Sequence, residues 1–210
     1  MSENHVSDYE IYELYNELYA YCSSAVLTES GVHEIIERSG NQQLLGKYDF
    51  FHAACRNETV TEEIIRCLLE CFPAAVNEAD GRDGRLPLHY ACRCNATLRL
   101  IELLIDANPD SVRHEDNYGF SPLHWLCANK DTEITEIIKC ILKHFPAAVN
   151  VADDWERLPL TYACENSNVS LSTIQLLIDA APESIHCEDC NGRLPLHRLC
   201  CNTELMKQQH

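Results

Sequence analysis

A nine-residue pattern recurs along this chain, and nothing else in the sequence restricts the fold as strongly. Gly84-Arg85-Leu86-Pro87-Leu88-His89-Tyr90-Ala91-Cys92 returns as Gly119-Phe120-Ser121-Pro122-Leu123-His124-Trp125-Leu126-Cys127, as Glu156–Cys164 and as Gly192–Cys200. A shortened copy precedes them at Phe50-Phe51-His52-Ala53-Ala54-Cys55. From Pro87 to Pro122, Pro159 and Pro195 the intervals are 35, 37 and 36 residues. Self-similarity at such a period marks a stack of small supersecondary units, none of which can bury its apolar face alone.

Each copy can be built from local chemistry. The Gly, or Glu156, ahead of the motif permits a tight turn, and Pro at the first helical position needs no amide partner, so a short helix starts there. About nine residues beyond each Cys comes a second apolar stripe: Ile64, Ile65, Leu68 and Leu69; then Ile101, Leu103, Leu104 and Ile105; then Ile137, Ile138, Ile141 and Leu142; then Ile174, Leu176, Leu177 and Ile178. Spacings of one, three and four put these on one face of a longer helix. Thr59 with Glu62 has capping-box spacing for the first of them. Pro73, Pro109, Pro146 and Pro182 steer the preceding residue out of the helical region and stop the second helix in every repeat. A further period lies on top: Pro73 and Pro109 have counterparts 73 residues later at Pro146 and Pro182, as duplication of a pair of repeats would leave them.

Turn, Pro-Leu-His, short helix, loop, longer helix and return together resemble the ankyrin repeat, from about Lys47 to the end of the chain. The resemblance implies an all-α, helix-turn-helix solenoid with extended inter-repeat loops. Its repeats would run over approximately 47–82, 83–117, 118–154, 155–190 and a partial 191–210. Two features differ from the family pattern. The usual Thr before the Pro is Leu86, Ser121, Leu158 and Leu194 here, and a Pro-centred loop lengthens the repeat beyond the common length of about 33 residues. Residues 1–46 read as an N-terminal helical cap. Ser7 and Glu10 precede a helix with Ile11, Leu14, Leu18 and a tyrosyl face, and a second helix is expected from about Ser30 to Arg38, with Gly40 as its stop. After Cys200 the expected second helix of the last repeat lacks its apolar stripe, so that end is expected to fray or to continue in a longer protein.

Composition narrows the function. No apolar run of membrane-spanning length is present, and Met1-Ser2-Glu3-Asn4-His5 lacks the regions of a signal peptide, pointing to a cytoplasmic chain or a nuclear one. Asn57, Asn95 and Asn168, which begin Asn-x-Ser/Thr matches, would then be unmodified. The 13 cysteines follow the repeat: Cys55, Cys92, Cys127, Cys164 and Cys200 share one column, and Cys67 and Cys140 another, as reduced, small core residues do. A net charge of −17 disfavours nucleic acid and anionic membrane as partners.

Candidate chemistry is sparse. Cys187, Cys190, His197 and Cys200 offer ligands that zinc accepts, which would make a zinc- or redox-responsive regulator. The His-x-x-Cys half of that set also belongs to the repeat. Histidines that recur as a column do not make a single positioned base, and no nucleophile signature or phosphate loop accompanies them, so neither catalysis nor a cofactor is expected. Recognition of another protein remains, by a chain expected to be monomeric unless it associates end to end, or by a regulatory stack of a longer protein. In the ankyrin-like arrangement the residue after each His points into the concave face: Ala53, Tyr90, Trp125, Tyr162 and Arg198. Loop tips add Arg85, Tyr118, Phe120, Trp155, Arg157 and Arg193. Large aromatic and Arg side chains are the types that dominate binding hot spots, and Tyr90, Trp125 and Tyr162 are expected to form a continuous strip.

Overall fold

The computed structural model describes residues 8–39, 48–94, 96–130 and 134–201. The described residues form eleven α-helices, joined by turns and short 3-10 segments. Helices α1 (Asp8–Cys22), α3 (Asp49–Arg56), α5 (Pro87–Arg93), α7 (Pro122–Ala128), α9 (Pro159–Glu165) and α11 (Pro195–Cys201) pack side by side as one row, each against the next. Helices α2 (Glu29–Ser39), α4 (Glu62–Cys71), α6 (Leu98–Ala107), α8 (Thr135–His144) and α10 (Leu171–Ala180) form a second row behind it. One continuous apolar core runs between the rows, from Leu14 and Leu18 to Ile174 and Leu177.

The inner helices start where the prolines dictate. Leu86, Ser121 and Leu158 are extended, as pre-proline residues must be, and Pro87, Pro122 and Pro159 open the helices. Three outer helices are capped by hydroxyls: Thr61, Thr97 and Ser170 accept from the backbone N–H of Ile64, Leu100 and Thr173. The cap of α4 is therefore Thr61 and not the expected Thr59, whose hydroxyl and N–H both bond the side-chain oxygen of Asn57. That carbonyl is fixed two residues upstream, so Thr59 is drawn into a local turn and helix entry shifts by two positions. Pro73, Pro109, Pro146 and Pro182 end the outer helices and open five-residue 3-10 turns, which bury Val76, Val112, Val149 and Ser184 under the stack.

Helices α1 and α2 stand to α3 and α4 as each later pair stands to its successor. Cys22 is wholly buried in line with Cys55, and the Asn57 amide donates to the carbonyls of Cys22 and Ser24. The same device recurs where Asn129 donates to the Cys92 carbonyl at 2.9 Å and Asn166 to the Cys127 carbonyl at 3.1 Å. Ser7, Gly40, Asn95 and the chain beyond Cys201 lie outside the described residues.

Candidate functional site

The turns before the inner helices are organised by a column of aspartates, Asp80, Asp116, Asp153 and Asp189. One carboxylate oxygen of each folds its own turn. Asp116 Oδ1 accepts from the N–H groups of Tyr118 and Phe120, Asp153 Oδ1 from Trp155 and Arg157, and Asp189 Oδ1 from Asn191 and Arg193. Asp80 does the same for Arg82 and Asp83. The other oxygen reaches the residue that follows the motif His. Tyr90 donates its hydroxyl to Asp80 at 2.7 Å, Trp125 its indole N–H to Asp116 at 3.2 Å, Tyr162 its hydroxyl to Asp153, and Arg198 an Nη2 to Asp189 at 2.5 Å. The Arg198 guanidinium holds the Asp189 carboxyl down to about 2, and burial, followed by the bond to Asp80, pushes the Tyr90 phenol up to about 12.

Each turn closes on a left-handed residue: Gly84, Gly119, Gly192 and, unusually, Glu156 at φ 60°. Neighbouring turns are then tied backbone to backbone. Asn117 N–H donates to Asp83 O at 2.8 Å, Asp154 to Tyr118 O at 3.1 Å and Cys190 to Trp155 O at 3.0 Å. A Cβ on Gly119 would lie 2.9 Å from Asp153 Cα, so this turn also needs glycine for the close approach of the next one.

The motif histidines lie beneath the turns. His89 accepts the Leu86 N–H at Nδ1, which places its proton on Nε2, facing the carbonyl of His114 and, in the next repeat, that of Phe120. His124 accepts from Ser121 and faces the Arg157 carbonyl, and His52 faces that of Glu78. Burial, with the neighbouring His114, pushes His89 down to about 4, and burial lowers His52 and His124 as well. His89 and His124 thereby bridge to the next repeat.

Above them sits a cluster of rings and guanidinium groups. Phe120 lies between Trp125 and Tyr162, with centroids 5.0 and 5.2 Å away. Arg85 packs over Trp125 at 4.4 Å and is bound by Asp83 and Asp116. Arg157 covers Tyr162 and lies 3.9 Å from Asp189, and Arg198 pairs with Glu165 and Asp189. Trp155 and Tyr118 stand out from this cluster, 40% and 42% exposed, with centroids 6.3 Å apart and planes 17° from parallel. Towards α1, the concave side opens into a groove of about 830 Å³ between α1, α3, α5 and the turn at 78–85.

The family model described as "Ankyrin repeats (3 copies)" matches residues 25–111, 50–144 and 94–182, most of the chain. The chain belongs to the ankyrin-repeat family. Among curated relatives, ankyrin repeat protein nuc-2 of Neurospora crassa is 28% identical over 117 residues, covering 54% of this chain and 10% of that protein. Ankyrin repeat-containing protein C6C3.08 of Schizosaccharomyces pombe is 29% identical, covering 64% of this chain and 56% of the relative. The transient receptor potential channel pyrexia of Drosophila melanogaster is 26% identical, covering 77% and 20%. The chain thus spans from a tenth to just over half the length of these relatives.

Within the ankyrin stack, the residues singled out from sequence fall into two groups. Tyr90, Trp125, Tyr162, Arg198, Arg85 and Arg157 have their polar tips engaged by the aspartate column, and Tyr162 is 9% exposed. Tyr118 and Trp155 are open to solvent, as is Arg193, while Phe120 is half-buried. The aspartates were missed in the sequence reading, although they recur at the repeat interval, because they precede the motif and stand among 33 acidic residues. The column cysteines Cys55, Cys92, Cys127 and Cys164 are buried, and burial pushes their thiols up. Cys187 and Cys190 are exposed, and His197 has Nδ1 taken by the Leu194 N–H. Among the described residues no three His, Cys, Asp or Glu side chains converge as a metal site, so Cys187, Cys190, His197 and Cys200 are not brought together. No helix of the described residues is long and apolar enough to cross a membrane.

Proposed function

We propose that this ankyrin stack binds another protein through its concave face and turn tips, without catalysis or a cofactor. The contact residues on this reading are Tyr90, Trp125, Tyr162, Arg198, Arg85, Tyr118, Phe120, Trp155, Arg157 and Arg193. Helices α1 and α2 serve as the cap of the stack, and the protein works as a cytoplasmic monomer.

The observation that carries the reading is the pair Tyr118 and Trp155. Two large rings stand exposed on consecutive turn tips, held in register by the bond from Asp154 to the Tyr118 carbonyl. Their neighbours in the cluster bury the polar tips that solvent would otherwise satisfy. Rigidly presented aromatic area of this kind loses little entropy on binding and supplies typical hot-spot side chains.

The test is an affinity capture comparing the wild type with Tyr118→Ser/Trp155→Ser. Truncating a central anchor costs about 2 kcal/mol or more, so captured partners should fall by well over about tenfold while the unfolding temperature stays near that of the wild type. Unchanged capture by a well-folded double variant would remove the turn tips from the interface.

A further inference from the structure

We infer that the turn tips at Tyr118 and Trp155 take an arginine side chain from the partner protein, its guanidinium stacked on the exposed rings and its N–H groups met by Asp154 and Glu156. This deepens the partner-binding reading and rests on it.

The inference starts from a unit that the stack already uses internally. Arg85 lies over the Trp125 ring at 4.4 Å while Asp83 and Asp116 bind its N–H groups. Arg157 lies over Tyr162 at 5.9 Å, with Asp189 3.9 Å away. Ring face, guanidinium and carboxylate thus occur together twice. A guanidinium suits this use because it is planar and weakly hydrated, so it stacks on a ring while its edge still donates to a carboxylate.

At the tips two members of that unit are present and the third is missing. Tyr118 and Trp155 are 42% and 40% exposed, and among the described residues the arginines that cover rings lie on Trp125, Phe145 and Tyr162, not on this pair. Phe120 packs against Trp155 at 5.9 Å, and the bond from Asp154 N–H to the Tyr118 carbonyl fixes the two turns, so the ring faces are held ready. Asp154 and Glu156 flank Trp155 in the chain and are exposed, and neither carboxylate has an ion pair or hydrogen bond among the described residues. The cations that follow do not fill the gap. Arg157 is turned onto Tyr162, and Arg193, exposed on the next turn, pairs with neither acid. Glu156 moreover takes the left-handed position that Gly84, Gly119 and Gly192 fill in the other turns, so a carboxylate is kept there against a backbone cost although nothing in the chain uses it.

Charge decides among occupants. With a net charge of −17 the chain's own field draws a cation, and an incoming guanidinium completes the unit without displacing an internal partner. A phosphate or an acidic segment would meet two carboxylates, and a lysine would bring charge but neither the planar face nor the fork.

The probes are three fluorescein-labelled Gly/Ser peptides, identical except for Arg, Lys or Gln at the same positions, titrated against the intact protein and followed by anisotropy. The Arg peptide should bind at least about tenfold more tightly than the Gln peptide and at least about threefold more tightly than the Lys peptide. Tyr118→Leu/Trp155→Leu should abolish the preference for Arg over Lys, and Asp154→Asn/Glu156→Gln should weaken both cationic peptides by at least about fivefold. Glu37→Gln/Glu70→Gln, which makes the same charge change on the outer helices, should leave all three unaltered. Equal binding of the Arg and Lys peptides, no loss in either turn-tip variant, a matching loss in the outer-helix variant, or binding of none of the peptides would each overturn the inference. If one of these occurs while Tyr118→Ser/Trp155→Ser still loses its captured partner, the tips meet a surface of other chemistry. If capture is unchanged as well, the broader reading of the tips fails too.

Discussion

The groove beside α1 and the ring cluster over α7 and α9 lie along the same stack of repeats, yet they use their arginines in opposite ways. In the cluster, Arg85 and Arg157 lie on aromatic rings; Asp83 and Asp116 bind Arg85, and Asp189 lies 3.9 Å from Arg157. In the groove, Arg56 and Arg82 meet neither ring nor carboxylate among the described residues, and Arg93 has only the Trp125 face. An arginine at a turn tip is therefore no sign of a binding contact by itself. What matters is whether an aspartate of the column is within reach to use it internally.

The sharpest way to break this comparison is to remove an aspartate. Asp116 is 5% exposed and accepts from Arg85, Trp125 and two backbone N–H groups. Asp116→Ala strands all four donors, among them the half-buried Arg85 guanidinium, which keeps only Asp83, and should cost about 3–5 kcal/mol in urea unfolding. Arg82→Ala in the groove should stay within about 0.5 kcal/mol. Comparable losses at the two positions would erase the distinction between held and unheld charge.

Acid should come next in size. His89 is pushed down to about 4 when folded, against about 6.5 when unfolded, so the unfolded chain takes up the proton first. The stability from this ring is fully present above about pH 6.5 and is lost as pH falls towards 4, on the order of 3 kcal/mol for His89 alone. His52 and His124 shift the same way. His89→Gln should flatten the loss between pH 6.5 and 4 in pH-dependent unfolding, and an unchanged slope would remove the ring as its source.

A smaller effect tests the turns that carry the cluster. Glu156 occupies the left-handed position that Gly119 and Gly192 fill elsewhere. Glu156→Gly should raise stability by about 1 kcal/mol, whereas Gly119→Ala should lower it by about 1–2 kcal/mol, because it adds strain and meets Asp153 Cα. Thermal unfolding of the pair reads both signs, and a destabilised Glu156→Gly would mean that the Glu156 side chain contributes more than its backbone costs.

Much of the fold could be read from the sequence because its determinants are local and repeated: Pro opens the inner helix, one apolar stripe defines the outer helix, and the Pro beyond ends it. The entry of α4 was misread at Thr59 because the Asn57 side chain, which bridges back to Cys22 and Ser24, captures that hydroxyl first. Tertiary demand there decided a local turn. The concave positions were legible as a column of large residues, but their roles were not. Whether Tyr162 offers its face or spends its hydroxyl depends on Asp153, nine residues away, and on Phe120 from the preceding repeat. Arg56 and Arg93 drew no notice because they end the inner helices, outside the recurring motif, and their lack of a carboxylate partner is a property of three dimensions alone.

The row of imidazole bridges stops at Thr161, which takes the His position in α9 and is too short to span to the next turn. The seam between α9 and α11 is held instead by charge, with Arg198 against Glu165 at 2.7 Å and Arg157 near Asp189. Partly exposed ion pairs weaken with ionic strength, whereas buried neutral bridges do not. Different seams should consequently yield to different solutes: protons loosen those from α3 to α9, and concentrated salt loosens the one between α9 and α11.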